Sequence, residues 1–401
     1  MNIKTLKHVL SLALIGVVST SFAQSLSLGP AARSDLRPAV LSEAPAMPLA
    51  NERRETVAFS WPATGAQAES AAPHIADSRS YQTTVSGAAL AKGVSLATTA
   101  PGALIRVSSS DRGALLDLDA LTVTLATGRT VSARAASDQL VSGDDLRAAG
   151  FATDPRSVGM RLADELGAGV FQLRSQAADA DAQVLIEVFD RNSDVVLSVQ
   201  SAAEQFFAGS RPSASVALQE AGNAMTWRSA TGFVVAPDGQ RYASTLARTG
   251  DSATLQVTAP LEASSGLWEW HVAVVSDSGI TRHVRTAFAT AYPVARFDNS
   301  VTVAQTKDAL RVTLGVEASS AGRYEARATL MATDASGQLQ PAMVGAVANW
   351  LESGSGVLTL EFDAAALKSQ GLRSPFAVRD LRLTDQSRMG VLETRGAGVT
   401  F

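Results

Sequence analysis

The sequence predicts an all-β protein: tandem β-sandwich domains of immunoglobulin-like size, preceded by an N-terminal signal peptide and an extended arm. Three observations carry that expectation. From about residue 81 the chain runs as short stretches of apolar–polar alternation, each ended by turn residues, and a period of two marks half-buried strands. Helical patterning is confined to two short stretches. No cysteine occurs, so thiol catalysis, thiolate zinc sites and iron–sulfur clusters are excluded, and each domain must be large enough to stabilise itself by apolar burial without disulfides.

The chain opens "MNIKTLKHVLSLALIGVVSTSFAQS". Lys4 and Lys7 precede an apolar run from Val9 to Val18, and Ser21 and Ala23 supply the small residues of a cleavage site before Gln24. The apolar run is about half the roughly twenty residues that a membrane span requires, so residues 1–23 read as a secretory signal peptide. No cysteine follows it to carry a lipid, and no later stretch has transmembrane length. The expectation is export through the Sec pathway to the periplasm or the medium, with no membrane span in the mature chain. Losing Lys4 and Lys7 moves the formal charge from −4 to −6. A mildly acidic chain is a poor partner for nucleic acid or anionic membrane, both of which call for basic patches.

Residues 24–80 hold six of the fourteen prolines and show no sustained period, which reads as a Pro/Ala-rich, partly disordered arm. Within it "ETVAFSW" (55–61) alternates Val57, Phe59 and Trp61 with small or polar residues, a short strand placed to dock on a later domain. An N-terminal β domain is expected over 81–210, with strands at 103–108, 121–128, 170–175 and 182–189. One helical turn, "SGDDLRAAG" (142–150), has Ser142 as its N-cap and Gly150 as its stop. A second β-sandwich, of immunoglobulin-like size, is expected over 211–295, where Pro237-Asp238-Gly239 forms a hairpin turn. The C-terminal sandwich, 296–401, has strands at 309–316, 323–332, 356–362 and 376–385 and a short helix between Asp363 and Gly371. A phase change between Phe376/Val378 and Leu381/Leu383 places a bulge near Arg379-Asp380. A local echo, "LQVTAPLEASSGLW" (255–268) beside "LRVTLGVEASSAGRY" (310–324), reads as a reused hairpin or as chance.

The richest cluster of chemistry-bearing residues lies in 266–294. With Asp277-Ser278-Gly279 as a three-residue turn, Trp268 faces Phe288, Trp270 faces Thr286 and Val272 faces Val284 on a buried side. Glu269, His271, Thr281, His283 and Arg285 fall on the opposite side, His271 across from Arg285. Metal or catalytic work would need a third converging ligand or base and a concave site, so a solvated hairpin face is the reading given to His271, His283, Glu269 and Arg285. "DRNSD" presents Asp190, Asn192 and Asp194 at the spacing that opens a calcium loop, but Val195 stands where such a loop needs glycine and Ser201 where it needs glutamate. No G-x-S-x-G elbow, H-E-x-x-H or Gly-rich phosphate loop occurs, and the mature chain has no S-x-x-K. No cofactor is expected.

Two stretches, "SYQTTVSGAALAKGVSLATTAPGALIRVSSSD" (80–111) and "SPFAVRDLRLTDQSRMGVLE" (374–393), together with "ETVAFSW" and "LIEVFDRNSDVVLSVQ" (185–200), resemble segments of an exported bacterial family catalogued as domain of unknown function 4785. The resemblance implies an N-terminal domain, an immunoglobulin-like middle domain and a β-rich C-terminal domain, and it implies no activity, substrate or site residue. The functional expectation is therefore a non-enzymatic exported protein that binds an envelope or extracellular ligand. An accessory partner of another exported protein, or a hydrolase with a dispersed carboxylate pair, are the alternatives.

Overall fold

A computed structural model describes residues 22–63, 74–109, 118–148, 150, 157–176, 179–250, 252–264 and 266–401. All but two residues of the expected signal segment lie outside them. The chain is all-β, with 60% strand and 6% helix, and its described strands form antiparallel sheets apart from one short parallel pair. Among the described residues no helix is long and apolar enough to cross a membrane. The chain divides into two compact units: Met1–Ser70 with Tyr292–Phe401, and Ala71–Ala291.

The first unit contains two sheets. One orders the strands Phe22–Ser27, Ala295–Gln305, Ala309–Ala318 and Gly354–Asp363; the other orders Val57–Pro62, Leu339–Leu351, Gly322–Thr333, Arg373–Asp385 and Gly390–Thr400. They pack closely enough that a Cβ on Gly345 would overlap the Phe362 ring of the facing sheet. The arm is built into this unit as an edge strand of each sheet, Phe22–Ser27 on Ala295–Gln305 and Val57–Pro62 on Leu339–Leu351. Between those strands it is tied by polar contacts rather than apolar periodicity. Buried Arg395 donates to the Gly29 carbonyl at 2.9 Å and to Glu393 at 2.6 Å, and buried Arg323 donates to the Arg53 and Glu55 carbonyls at 3.0 and 2.6 Å. Asp363 caps the helix Ala364–Ser369 by accepting from the Ala365 and Ala366 amides. Asp380 takes φ +52° where the register with Gly322–Thr333 shifts, and the register with Gly390–Thr400 shifts just before it, between Val378 and Arg379, which is the bulge expected near Arg379-Asp380.

In the second unit, strands Ala76–Ser78, Val195–Ser201, Ser213–Glu220, Ser252–Val257 and Arg241–Thr249 form one layer. Residues 241–243 of the last strand pair instead with Trp227–Val235, which leads into Leu267–Ser276 and Thr281–Ala291 as the opposing layer. Leu197, Val199, Leu255, Trp268 and Trp270 belong to one core between them. A second core lies between the sheet that contains Ser80–Ser86, Gln183–Phe189, Leu104–Ser109 and Ser157–Leu162 and the sheet Val94–Thr98, Gly169–Ser175, Leu121–Thr124 and Thr130–Ser132. Residues 81–210 and 211–295, read from the sequence as separate domains, share a sheet, since Val195–Ser201 pairs with Ser213–Glu220. Both copies of the sequence echo are crossovers rather than hairpins: one joins Ser252–Val257 of one layer to Leu267–Ser276 of the opposing layer, and the other joins Ala309–Ala318 of one sheet to Gly322–Thr333 of another.

Candidate functional site

The hairpin Leu267–Ser276/Thr281–Ala291 has the register that alternation and turn chemistry dictate. Trp268 faces Phe288, Val272 faces Val284 and His271 faces Arg285. Ser276 and Ile280 close the turn through a 2.8 Å backbone bond, and Gly279 adopts φ +89°, the left-handed conformation that glycine supplies without a Cβ penalty.

What the hairpin borders could not be read locally. His283 pairs with Ser80, a single ladder position that joins Thr281–Ala291 to Ser80–Ser86. This pairing makes one wall of eight strands, from Trp227–Val235 to Ser137–Ser142. Along it Thr231, Ala273, His283, Ser80, Phe189, Leu104, Arg161 and Gln139 stand in one continuous cross-strand row. One face of the wall covers the two apolar cores; the alternate residues line a cavity of about 1040 Å³. That size matches small-molecule sites, which run from about 300 to 1,000 Å³. The face expected to be solvated is thus the side of a concavity.

His271, His283 and Arg285 come together on it, with Glu269 beside them. His271 Nε2 lies 3.0 Å from Glu269 Oε2, and its ring stacks on Phe233 at 5.0 Å between centroids. The Gln82 amide donates to His283 Nδ1 at 3.4 Å, and Arg285 donates to the Gln82 side-chain oxygen at 3.2 Å. Burial pushes the imidazole of His271 below the usual histidine range; Glu269 opposes the shift, while Arg285 and Arg241 add to it. Burial does the same to His283, helped by Arg285. Both rings are therefore neutral at pH 7. The rest of the wall holds an ion pair between Arg106 and Glu187, and Arg161 bound to Asp138 at 2.6 Å and Asp164 at 2.7 Å. Between these groups Phe189 stands 44% exposed in the middle of the row.

Asp190, Asn192 and Asp194 do not converge. Asp190 is fully buried, where it accepts from Arg282 at 2.9 Å, from the Thr99 amide and hydroxyl at 2.7 and 2.6 Å, and from the Ala100 amide at 3.3 Å. Asn192 is exposed and donates to the Pro101 carbonyl, and Asp194 is exposed. Among the described residues no three His, Asp or Glu side chains are grouped as metal ligands would be. Nearby Tyr81 donates its hydroxyl to the Ala97 carbonyl at 3.1 Å and is pushed up to about 12 by burial, so it stays protonated. Arg282 carried a legible signal, as a charge on the inward phase of its strand beside Val284, Thr286 and Phe288. Arg106, Glu187 and Phe189 carried only outward phase, which does not distinguish a groove from an open surface.

Two family models match the chain: the N-terminal domain of DUF4785, a domain of unknown function, over residues 48–190, and its C-terminal domain over 294–401. The chain belongs to the DUF4785 family. A crystal structure of a DUF4785 family protein from Legionella pneumophila subsp. pneumophila str. Philadelphia 1, at 2.00 Å resolution, is 22% identical with a TM-score of 0.66, covering 90% of this chain and 98% of that one. At this identity the likeness concerns the fold. No curated protein matches.

Proposed function

We propose that this DUF4785 protein is exported and acts without catalysis, by binding a ligand of the cell envelope or the surrounding medium in the groove of its second unit. The observation that carries this reading is the cavity itself: a curved wall of eight register-aligned strands, with an exposed aromatic ring at its centre and polar groups around it. Ligand sites combine apolar surface with a few fixed polar groups in this way. Glu187, a carboxylate of the wall, is committed to Arg106, which disfavours a free acid–base pair for hydrolysis. The charged, Lys-bearing start and short apolar core of residues 1–23 support export, and the two facing layers around Trp268 and Trp270 support an immunoglobulin-like module beside the groove. Co-sedimentation of the purified protein with Gram-negative envelopes over a concentration series tests the reading. Saturable binding competed by excess unlabelled protein is expected; its absence from both envelopes and culture-medium fractions would overturn it.

A second role as an accessory partner has one observation in its favour. Phe59, 56% exposed, stacks on Trp61 along an edge strand of the first unit, a surface suited to another protein. Cross-linking to a second exported protein that is lost in Phe59→Ser would support it; unchanged cross-linking would remove it.

A further inference from the structure

Resting on the groove reading, we propose that the ligand is an amphiphilic anion, with its charged group at Arg285 and its apolar body along Phe189 and Leu104. The cations of the groove are unequally paired. Arg106 and Arg161 are held by carboxylates. Among the described residues neither Arg285 nor Arg241 has a carboxylate within 4 Å: Arg285 donates to an amide oxygen, and Arg241 lies over the Phe233 ring at 4.6 Å. The charged groups that line the groove are Asp77, Arg106, Arg161, Glu187 and Arg285; Arg106 pairs with Glu187, Arg161 is held by Asp138 and Asp164, and Asp77 accepts from the Ser198 hydroxyl, which leaves Arg285 as the lining cation with no carboxylate within 4 Å among the described residues. A cation without a carboxylate partner in a concave, partly apolar site is a point of attraction for an anion.

Geometry fixes where the anion would sit. His271 lies directly across the ladder from Arg285, about 5 Å away between Cβ atoms, and His283 is two residues along the same strand, roughly 7 Å away. Arg285 offers a planar fork suited to a carboxylate, sulfate or phosphate. From its strand, three strand spacings of about 4.8 Å each lead to Leu104, with Phe189 on the way. A medium-length acyl chain covers that distance. An anion at Arg285 also acts on the histidines, because it offsets the arginine field that helps hold both rings neutral. Binding then draws protons from solution as pH falls through the histidine range, and affinity rises accordingly.

The test is a calorimetric titration of the purified protein with decanoate and with 1-decanol, matched in chain and different in charge. Decanoate is expected to bind at least tenfold more tightly at pH 7.5, and to gain affinity toward pH 6 with proton uptake, whereas decanol is unaffected by pH. Arg285→Gln should abolish the preference and leave decanol binding and the circular dichroism spectrum intact. A parallel arm replaces free decanoate by phosphatidylglycerol vesicles. Competition of decanoate by vesicles places the anion in a lipid, and absence of competition places it in a free molecule; both support the inference. Equal binding of the two probes, or an unchanged preference in Arg285→Gln, would overturn the anion assignment while leaving the groove reading in place. If neither probe binds, the assignment fails, and envelope co-sedimentation decides the groove reading separately.

Discussion

Replacing Asp190 by Ala should destabilise the second unit more than any substitution on its surface, because it strands a buried guanidinium. Arg282 and Asp190 are both fully buried, 2.9 Å apart. Arg282 also donates to the Val195 and Thr281 carbonyls at 3.1 and 3.0 Å and to the Ser193 hydroxyl at 2.9 Å, so the pair fastens the strand Thr281–Ala291 to the turn at 190–195. Removing one partner of such a pair costs about 3–5 kcal/mol, because the remaining charge cannot reach water. The Thr99 and Ala100 amides lose their acceptor as well, so a loss of about 4 kcal/mol is expected. For a unit of this size each kcal/mol lowers the melting temperature by roughly 2–4 °C, giving a drop of about 8–16 °C. Arg282→Met should cost less, about 2–3 kcal/mol, since Asp190 keeps its hydroxyl and amide donors. The double variant should lose clearly less than the sum of the two. Thermal unfolding followed by tryptophan fluorescence reports mainly on this unit, which holds buried Trp227, Trp268 and Trp270. A loss below about 1 kcal/mol for Asp190→Ala, or strict additivity in the double variant, would refute the reasoning.

Further expectations follow the same logic. The neutral histidines bind protons more weakly in the folded than in the unfolded state, so their contribution is present above the ordinary histidine range and is lost as pH falls through their lowered values. Melting temperature should thus decline from pH 7.5 toward pH 5, and His283→Gln should flatten that slope; an identical slope would sink the claim. Gly398→Ala would push a methyl against the Val378 carbonyl and the Leu381 side chain, costing about 1–3 kcal/mol in the first unit by chemical denaturation. Asp363→Ala removes the cap of the helix Ala364–Ser369 and should cost about 1 kcal/mol in the same assay. Deleting residues 1–63 removes an edge strand from each sheet of the first unit and orphans donors of Arg323 and Arg395, so the truncated chain should be recovered insoluble; a soluble chain with native near-ultraviolet dichroism would contradict this.

Strand alternation and turn chemistry are local, which is why the 267–291 hairpin was legible to the residue, as were the Pro237-Asp238-Gly239 turn and the bulge at Asp380. The groove was not legible, because it depends on one ladder position between His283 and Ser80, some two hundred residues apart in sequence. Outward phase on a strand looks the same whether water or a concavity lies beyond it. The arm was legible only at "ETVAFSW", whose alternation marks the edge strand Val57–Pro62. Its other ordered contacts are the edge-strand bonds of Phe22–Ser27 and arginine-to-carbonyl bonds, neither of which leaves an amphipathic period. In "DRNSD" the alternating acids have a calcium-loop spacing that Val195 and Ser201 break, but that reading does not reveal that Asp190 is claimed by Arg282, for which the inward phase of the arginine was the sole signal.

The most direct measurement of the groove's role compares wild-type protein with Ala273→Trp in envelope co-sedimentation. Ala273 stands in the wall between Thr231 and His283, so an indole there fills the groove without removing a charge. Saturable wild-type binding that is abolished in Ala273→Trp, with unchanged melting temperature, is the predicted result. Equal binding by the two proteins would place the binding surface elsewhere and contradict the account.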